Sequence, residues 1–423
     1  MAHIVIVGGG LGGASLALLL ARDTTHDISL IEQAVLASDT LPDTPSYDAR
    51  STALALGSAE ILAGLGAWRT LAGFAAPIRH IQVSHEGHFG AARLDAAEES
   101  VAALGFVAEN RHLGFALLRA LRETRVAVHA PARLAEVTRV GDGWKMVMHS
   151  HANDADSRAH RVTTEATQAG EKRLDADLLI VADGVQSSLR EALGIAVNEH
   201  RYGATAIVCN VTPRSAHDDV AFERFTRDGA IAILPLRDAG AEPRCAIVWS
   251  LPEAKAARLL AAGDDEFLAA LSAAAGHRLG GFARTGNRSA YPLTRVIAAE
   301  QAVPGAVLLG NAAHLLHPVA GQGFNLTLRD AVALSAVLVQ AEQAQEAVGS
   351  LDTLLRYVAR RTRDQHLTAG LSHGLPSLFT SDAPLLGIAR DLGLLAFDLV
   401  APLKREFARQ AMGIGVFTGA GSP

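Results

Sequence analysis

Gly8, Gly10 and Gly13 stand in a G-x-G-x-x-G pattern between the apolar run Ile4–Val7 and a stretch, Gly12 to about Arg22, that is apolar all round. A strand feeding a helix through such glycines suits a pyrophosphate. Gly8 permits the tight turn, Gly10 removes a side chain where the phosphates approach, and Gly13 lets helix and strand pack closely. The first helical turn presents amides and a positive dipole end to the anion. Glu32 ends a second strand in HDISLIEQ, where its carboxylate can accept both hydroxyls of an adenosine ribose. It would repel a 2′-phosphate, so the expected dinucleotide is FAD or NAD rather than NADP.

Two further constellations carry chemistry. ADGVQSSLR places Asp183 and Gly184 in a turn after a buried strand, with Ser187 and Arg190 at the start of a helix. By itself this reads equally as an ordinary strand–helix junction with an N-cap serine. GNAAHLLHPVAGQG sets Gly310, Gly321 and Gly323 around His314, His317 and Pro318 and runs directly into a long helix. Glycines before a helix aim backbone amides at something anionic. The spacing of His314 and His317 suits a metal on a helix, but this stretch reads as loop and offers no third ligand. Packed or hydrogen-bonded histidines are expected.

The elements that must position these residues alternate along the chain. Nucleotide-fold pieces occur at the start, near 175–195 and near 305–340. Between them lie β-rich insertions, among which TAIVCNV, AIAILPL and CAIVWS are expected to form an antiparallel sheet. NRHLGFALLRALRE is an amphipathic helix with Leu113, Leu117 and Leu121 on one face, and a helix is expected from about Ser51 to Leu65. The polar stretch 150–173 reads as a hairpin tip or loop, and beyond residue 325 the chain is nearly all helical.

Bulk properties agree. The chain has 423 residues, 49% of them hydrophobic, with a formal net charge of −6. That suits more than one filled core and, with no basic run, excludes a nucleic-acid partner. Cys209 and Cys245 each lie in an apolar β-like run and are expected as buried thiols. Neither a signal peptide nor a transmembrane helix is expected, which points to the cytoplasm.

Together the three constellations resemble the fingerprints of the flavoprotein aromatic hydroxylases (class A flavin monooxygenases). The third matches that family's G-D-A-A-H-x-x-x-P-x-x-G-Q-G-x-N at Gly310, Ala312, Ala313, His314, Pro318, Gly321, Gln322, Gly323 and Asn325, with Asn311 replacing the usual aspartate. YDARSTALALGSAEILAGLGAW, VAENRHLGFALLRAL and GNAAHLLHPVAGQGFNLTLRDA resemble the ubiquinone-biosynthesis branch, nearest the 2-polyprenyl-6-methoxyphenol hydroxylases, where the G-N form also occurs. The resemblance implies an α/β fold with α+β insertions: a Rossmann-like FAD-binding domain interleaved with a β-sheet substrate domain, and a helical C-terminus. The parts fall at 1–75, 106–200 and 296–345 for FAD binding, 76–105 and 201–295 for substrate, and 346–423 for the helical end.

It further implies bound FAD, NAD(P)H as reductant, and O2 forming a flavin C4a-hydroperoxide that hydroxylates a polyprenyl phenol. Gly310, Asn311, Pro318, Gly321, Gln322, Gly323 and Asn325 would wrap the ribityl chain and flavin ring, with amides around Gly323 to Asn325 facing the N1–C2=O edge. Asp183 would lie near the pyrophosphate. Arg50 matches a position that meets the ribityl or ring, and Arg111, or equally Asn110, one that meets the FAD. No catalytic acid or base stands out.

The apolar C-terminal stretch with Arg390, Lys404, Arg405 and Arg409 reads either as packing helices or as a peripheral contact with the inner membrane, near other ubiquinone-biosynthesis enzymes. Alternatives to the hydroxylase are one acting on a soluble aromatic compound, a non-catalytic flavin-binding scaffold, and a methyltransferase using S-adenosylmethionine. The methyltransferase would leave the second and third constellations without purpose.

Overall fold

The computed structural model describes residues 1–36, 50–88, 91–150, 171–240, 242–316, 322–380, 408–409 and 412–414. The first strand, His3–Val7, is the centre of a six-stranded sheet. It runs parallel to Asp27–Ile31 on one side and to Leu178–Val181 on the other. Ala127–His129 continues the parallel set beyond Asp27–Ile31, and Ala306–Leu308 beyond Leu178–Val181. Ala302–Val303 closes the edge antiparallel.

The apolar runs of these strands follow from burial on both faces, as parallel sheets require. Ile4 and Ile6 pack on one side, against the helices Leu11–Asp23 and Gln322–Gln343. Val5 packs on the other, against an antiparallel layer of Ala132–Val140, Gly143–Ser150 and Glu171–Ala176 that contributes Trp144, Met146 and Met148. The polar stretch expected as a loop falls largely in 151–170, outside the described residues.

The second large sheet has nine strands, mostly antiparallel, and its centre holds the three apolar runs read from the sequence, within Val197–Pro213, Gly229–Ala239 and Glu242–Pro252. Val220–Thr226 pairs with Gly229–Ala239 and, in parallel, with His80–His85. One face is covered by the helices Glu253–Ala261 and Asp264–Ala275, around Ile233, Ile247, Cys209 and Phe267. Cys209 and Cys245 are buried free thiols there.

The opposite face meets a small sheet of Ser51–Ala55, Ala76–Ile78 and Gly105–Glu109, in a cluster that includes Ile78, Val107, Ala221 and Leu236. Here one expectation fails. The helix expected from Ser51 begins at Leu56, because Ser51–Ala55 is instead a strand paired with Gly105–Glu109. A short apolar run satisfies helix and strand spacing alike, and the tertiary partner decides.

Candidate functional site

Register places the three constellations side by side. Ile31, Val7, Val181 and Leu308 align across neighbouring parallel strands, so Glu32, Gly8, Asp183 and Gly310 all follow the same carboxyl edge. That edge is where open α/β sheets hold their ligands.

At the first turn Gly8 has φ +107°, and a Cβ there would lie 2.2 Å from the Ala182 carbonyl oxygen. A Cβ on Gly13 would lie 1.9 Å from the Gly8 oxygen. Both positions therefore demand glycine, and the backbone cradle they leave fits a pyrophosphate. Gly10 caps the helix Leu11–Asp23 in an extended conformation. The Glu32 carboxylate accepts from Gly9 N at 2.7 Å and from Ala34 N at 2.8 Å. Each oxygen keeps a further lone pair for a ribose hydroxyl.

Ser187 caps the short helix Ser188–Ala192, accepting from Arg190 N at 2.9 Å, as the ordinary junction reading expects. The buried Arg190 guanidinium donates to the Ala312 carbonyl at 3.1 Å, so the second constellation holds the third in place. Burial pushes the Asp183 carboxyl up, opposed by its hydrogen bond with Ser187.

In the third constellation Gly310 opens a single 3₁₀ turn, Gly310–Ala312, with Asn311 exposed. The following helix begins at Gln322, so Gly323 lies in its first turn. The Asn325 side chain clasps the strand Ser51–Ala55, accepting from Ala55 N at 2.9 Å and donating to Ala53 O at 2.8 Å. His317, Pro318 and Gly321 lie outside the described residues.

Beside this turn is a largely buried ionic network. His314 Nε2 meets Asp330 Oδ2 at 2.6 Å, and Arg361 Nε donates to Asp330 Oδ1 at 2.5 Å. Arg361 and Arg329 both reach Asp364. Burial acts to raise the Asp330 carboxyl, but His314 and Arg361 outweigh it and hold it below the usual range. His314 is therefore a hydrogen-bonded structural residue, and no cluster able to hold a metal exists among the described residues.

Arg50 lies 4.9 Å above the ring of Tyr291, on a strand of the larger sheet. Arg111 donates to Glu109 at 2.9 Å, while Asn110 is buried, its N–H bound to Arg50 O at 2.7 Å. Glu109 also receives Arg244 at 2.9 Å and Asn210 at 3.0 Å, both from the larger sheet. Burial opposes its charge, but His112, Arg111 and Arg244 bring the carboxyl down to about 2. Glu109, Arg244, Asp330 and Arg361 did not emerge from the sequence. For Asp330 a signal existed, an acid within an otherwise apolar helical stretch.

The FAD binding domain family matches residues 1–367. The chain is 34% identical over 422 residues to the ubiquinone hydroxylase UbiL of Rhodospirillum rubrum, spanning 98% of this chain and 90% of that one. It is 32% identical over 414 residues to the 3-demethoxyubiquinol 3-hydroxylase of Escherichia coli, spanning 97% and 98%. Among solved structures, p-nitrophenol 4-monooxygenase PnpA of Pseudomonas putida shares the fold with a TM-score of 0.74 at 17% identity, covering 97% of this chain and 99% of that one. A variant of HpxO from Klebsiella pneumoniae, complexed with FAD, gives 0.70 at 17% identity, covering 98% and 99%.

Fold, cradle and likeness define an FAD-dependent aromatic-ring monooxygenase of the p-hydroxybenzoate-hydroxylase type. The chain belongs to the FAD binding domain family, in the branch that holds the ubiquinone hydroxylases.

Proposed function

We propose that this protein hydroxylates the ring of a polyprenyl phenol in ubiquinone biosynthesis, in the manner of a 2-polyprenyl-6-methoxyphenol hydroxylase, with NAD(P)H and O2 as co-substrates. One observation carries the substrate class. The register of the larger sheet sets Val83, Glu223, Ala232, Val248 and Val208 in one row on the face turned toward the FAD-binding elements. All five are half-buried, although the adjacent row of Phe225, Ala230, Ser250 and Ala206 is buried. This makes a partly exposed strip of small aliphatic side chains around Glu223. Two basic groups that meet this face are engaged, Arg244 by Glu109 and Arg50 over Tyr291. A soluble aromatic acid would want such a cation for its carboxylate, whereas a prenylated phenol wants the apolar strip.

Bound FAD supplies the redox chemistry, taking electrons from NAD(P)H and activating O2. The chain's residues position and shield. The Gly8–Gly13 cradle and Glu32 hold the adenosine diphosphate part, and Gly310, Asn311 and Gly323 present backbone and amide groups to the ribityl and ring. The amides at the start of the helix Gln322–Gln343 would favour negative charge on the bound ring. Asp183 lies along the path of the pyrophosphate.

A polyprenyl substrate resides in a bilayer, so the reading includes a peripheral membrane contact. The C-terminal segment expected to make it lies mostly outside the described residues. No helix among the described residues is long and apolar enough to cross a membrane.

Quinone profiling of a deletion strain tests the proposal. Accumulation of a prenylated phenol lacking one ring hydroxyl, restored by the gene, is expected. An unchanged quinone profile would refute it.

A further inference from the structure

We propose that Glu223 is the catalytic base that takes the proton from the phenolic hydroxyl of the substrate. The inference rests on the substrate class proposed above. Glu223 lies on the strand Val220–Thr226, opposite Ala232 on one side and Val83 on the other. It is the one ionisable residue of the half-open strip, and its row neighbours are aliphatic. The row lies between one containing Asn210, which reaches Glu109, and one containing Tyr291, which lies beneath Arg50. Glu223 thus faces the same interior as the residues that join the sheet to the FAD-binding elements.

Its isolation is unusual. No hydrogen bond or ion pair to Glu223 exists among the described residues, and burial is the sole influence on its carboxyl, which rises to about 7. Arg224 points to the opposite face, where its guanidinium lies beside Gly276. Arg278 and Arg93 share that opposite side. His85 is on the inner face one row away, opposite Phe225, and stacks on His88 at 4.1 Å. The helix Leu351–Thr380 also packs against this strand, and no charged group on its described side chains shifts the carboxyl. A carboxylate in apolar surroundings is costly unless it is paired, and no pair exists among the described residues. A carboxyl titrating near neutrality is suited to exchange protons with a ligand at working pH.

The step balances simply. A phenol titrates at about 10 in water, so at neutral pH it keeps its proton and its ring is less electron-rich. When it lies on the strip, its O–H bond breaks, an O–H bond forms on Glu223, and the electron pair passes to the ring. The ring carbon ortho or para to that oxygen is then activated toward the oxygen that is transferred. As the ring regains aromaticity, its C–H proton leaves to water and Glu223 returns its proton to the phenolic oxygen.

The test uses the FAD-loaded protein and 2-methoxyphenol carrying one prenyl group as probe. Product formation against pH reports the protonation state that hydroxylation needs. In the wild type kcat is expected to rise with pH as a group near neutrality loses its proton. In Glu223→Gln the probe should bind with little change in KM and the flavin spectrum should be retained. The rise near neutrality should disappear, and kcat should fall about 10²- to 10⁴-fold. Glu223→Asp should recover part of both and guards against a folding defect in the amide variant. A pH profile and kcat in Glu223→Gln equal to wild type would overturn the assignment while leaving the substrate class standing. A wild type that neither binds nor hydroxylates the probe would sink the substrate class, and the role of Glu223 with it.

Discussion

The His314 imidazole and the Asp330 carboxylate meet at 2.6 Å with both side chains enclosed. His314 belongs to the two-residue strand His314–Leu315, which pairs with Ser289–Ala298, and Asp330 to the helix whose first turn completes the candidate flavin site. This one contact sets the distance between the two halves of the third constellation, and Arg361 secures it from behind.

Removing the charge of Asp330 should therefore loosen the loop as well as the core. Asp330→Asn leaves the enclosed Arg361 with Asp364 in place of two carboxylates, and the loss should be smaller than the about 3–5 kcal/mol of a fully broken buried pair. The denaturant midpoint should fall accordingly, and FAD should bind less tightly. Because the folded carboxyl is held below its usual value, its contribution is present above the unfolded pKa of about 4 and is lost as pH drops through the folded value. Urea titrations at a series of acid pH values check this: the wild type should approach the variant as pH falls.

Glu109 should act as an acid-sensitive fastener between the small three-stranded sheet and the nine-stranded one. Its carboxyl titrates at about 2 rather than near 4.5. A depressed carboxylate stabilises above its unfolded pKa, here by roughly 3 kcal/mol at neutral pH. Glu109→Gln should lose most of that at pH 7, and the difference from wild type should shrink as pH falls from 4.5 toward 2. Equal denaturant midpoints for the two proteins at neutral pH would contradict it.

Gly13→Ala should abolish flavin uptake. Its new methyl would press on the Gly8 carbonyl, which must move, taking the pyrophosphate cradle with it. Purified variant protein should be colourless and should fail to take up added FAD. A yellow variant of normal absorbance would show that the first turn holds no pyrophosphate.

The wild type should instead carry FAD with the usual flavin absorbance bands, and its thermal stability should depend on flavin concentration. Ligand at 100 times its dissociation constant stabilises by about 2.7 kcal/mol. Stripping the flavin should lower Tm, and titrating FAD back should restore it. A Tm indifferent to FAD would contradict binding at an enclosed site.

What could be read in the sequence was what is governed locally. Gly8 and Gly13 are required by contacts within one strand–turn–helix, so a short pattern announces them. Glu109 and Arg244 are 135 residues apart and meet only because the larger sheet closes on the small one, and nothing in either neighbourhood signals the other. Ser51–Ala55 has the spacing of a helix start, and its partner strand makes it β. In VAFERFT, alternation shows that Glu223 and Arg224 face opposite ways but not which face is the interior, since both faces of that sheet are covered.

The clasp of Asn325 on Ala53 and Ala55 joins residues about 270 positions apart. On the ribosome the first glycine turn emerges early, yet the strand beside it waits for a helix made much later. Arg190 likewise waits for Ala312. The nucleotide half of the cradle is thus complete long before its ring half, and the cofactor can be locked in only once most of translation is over.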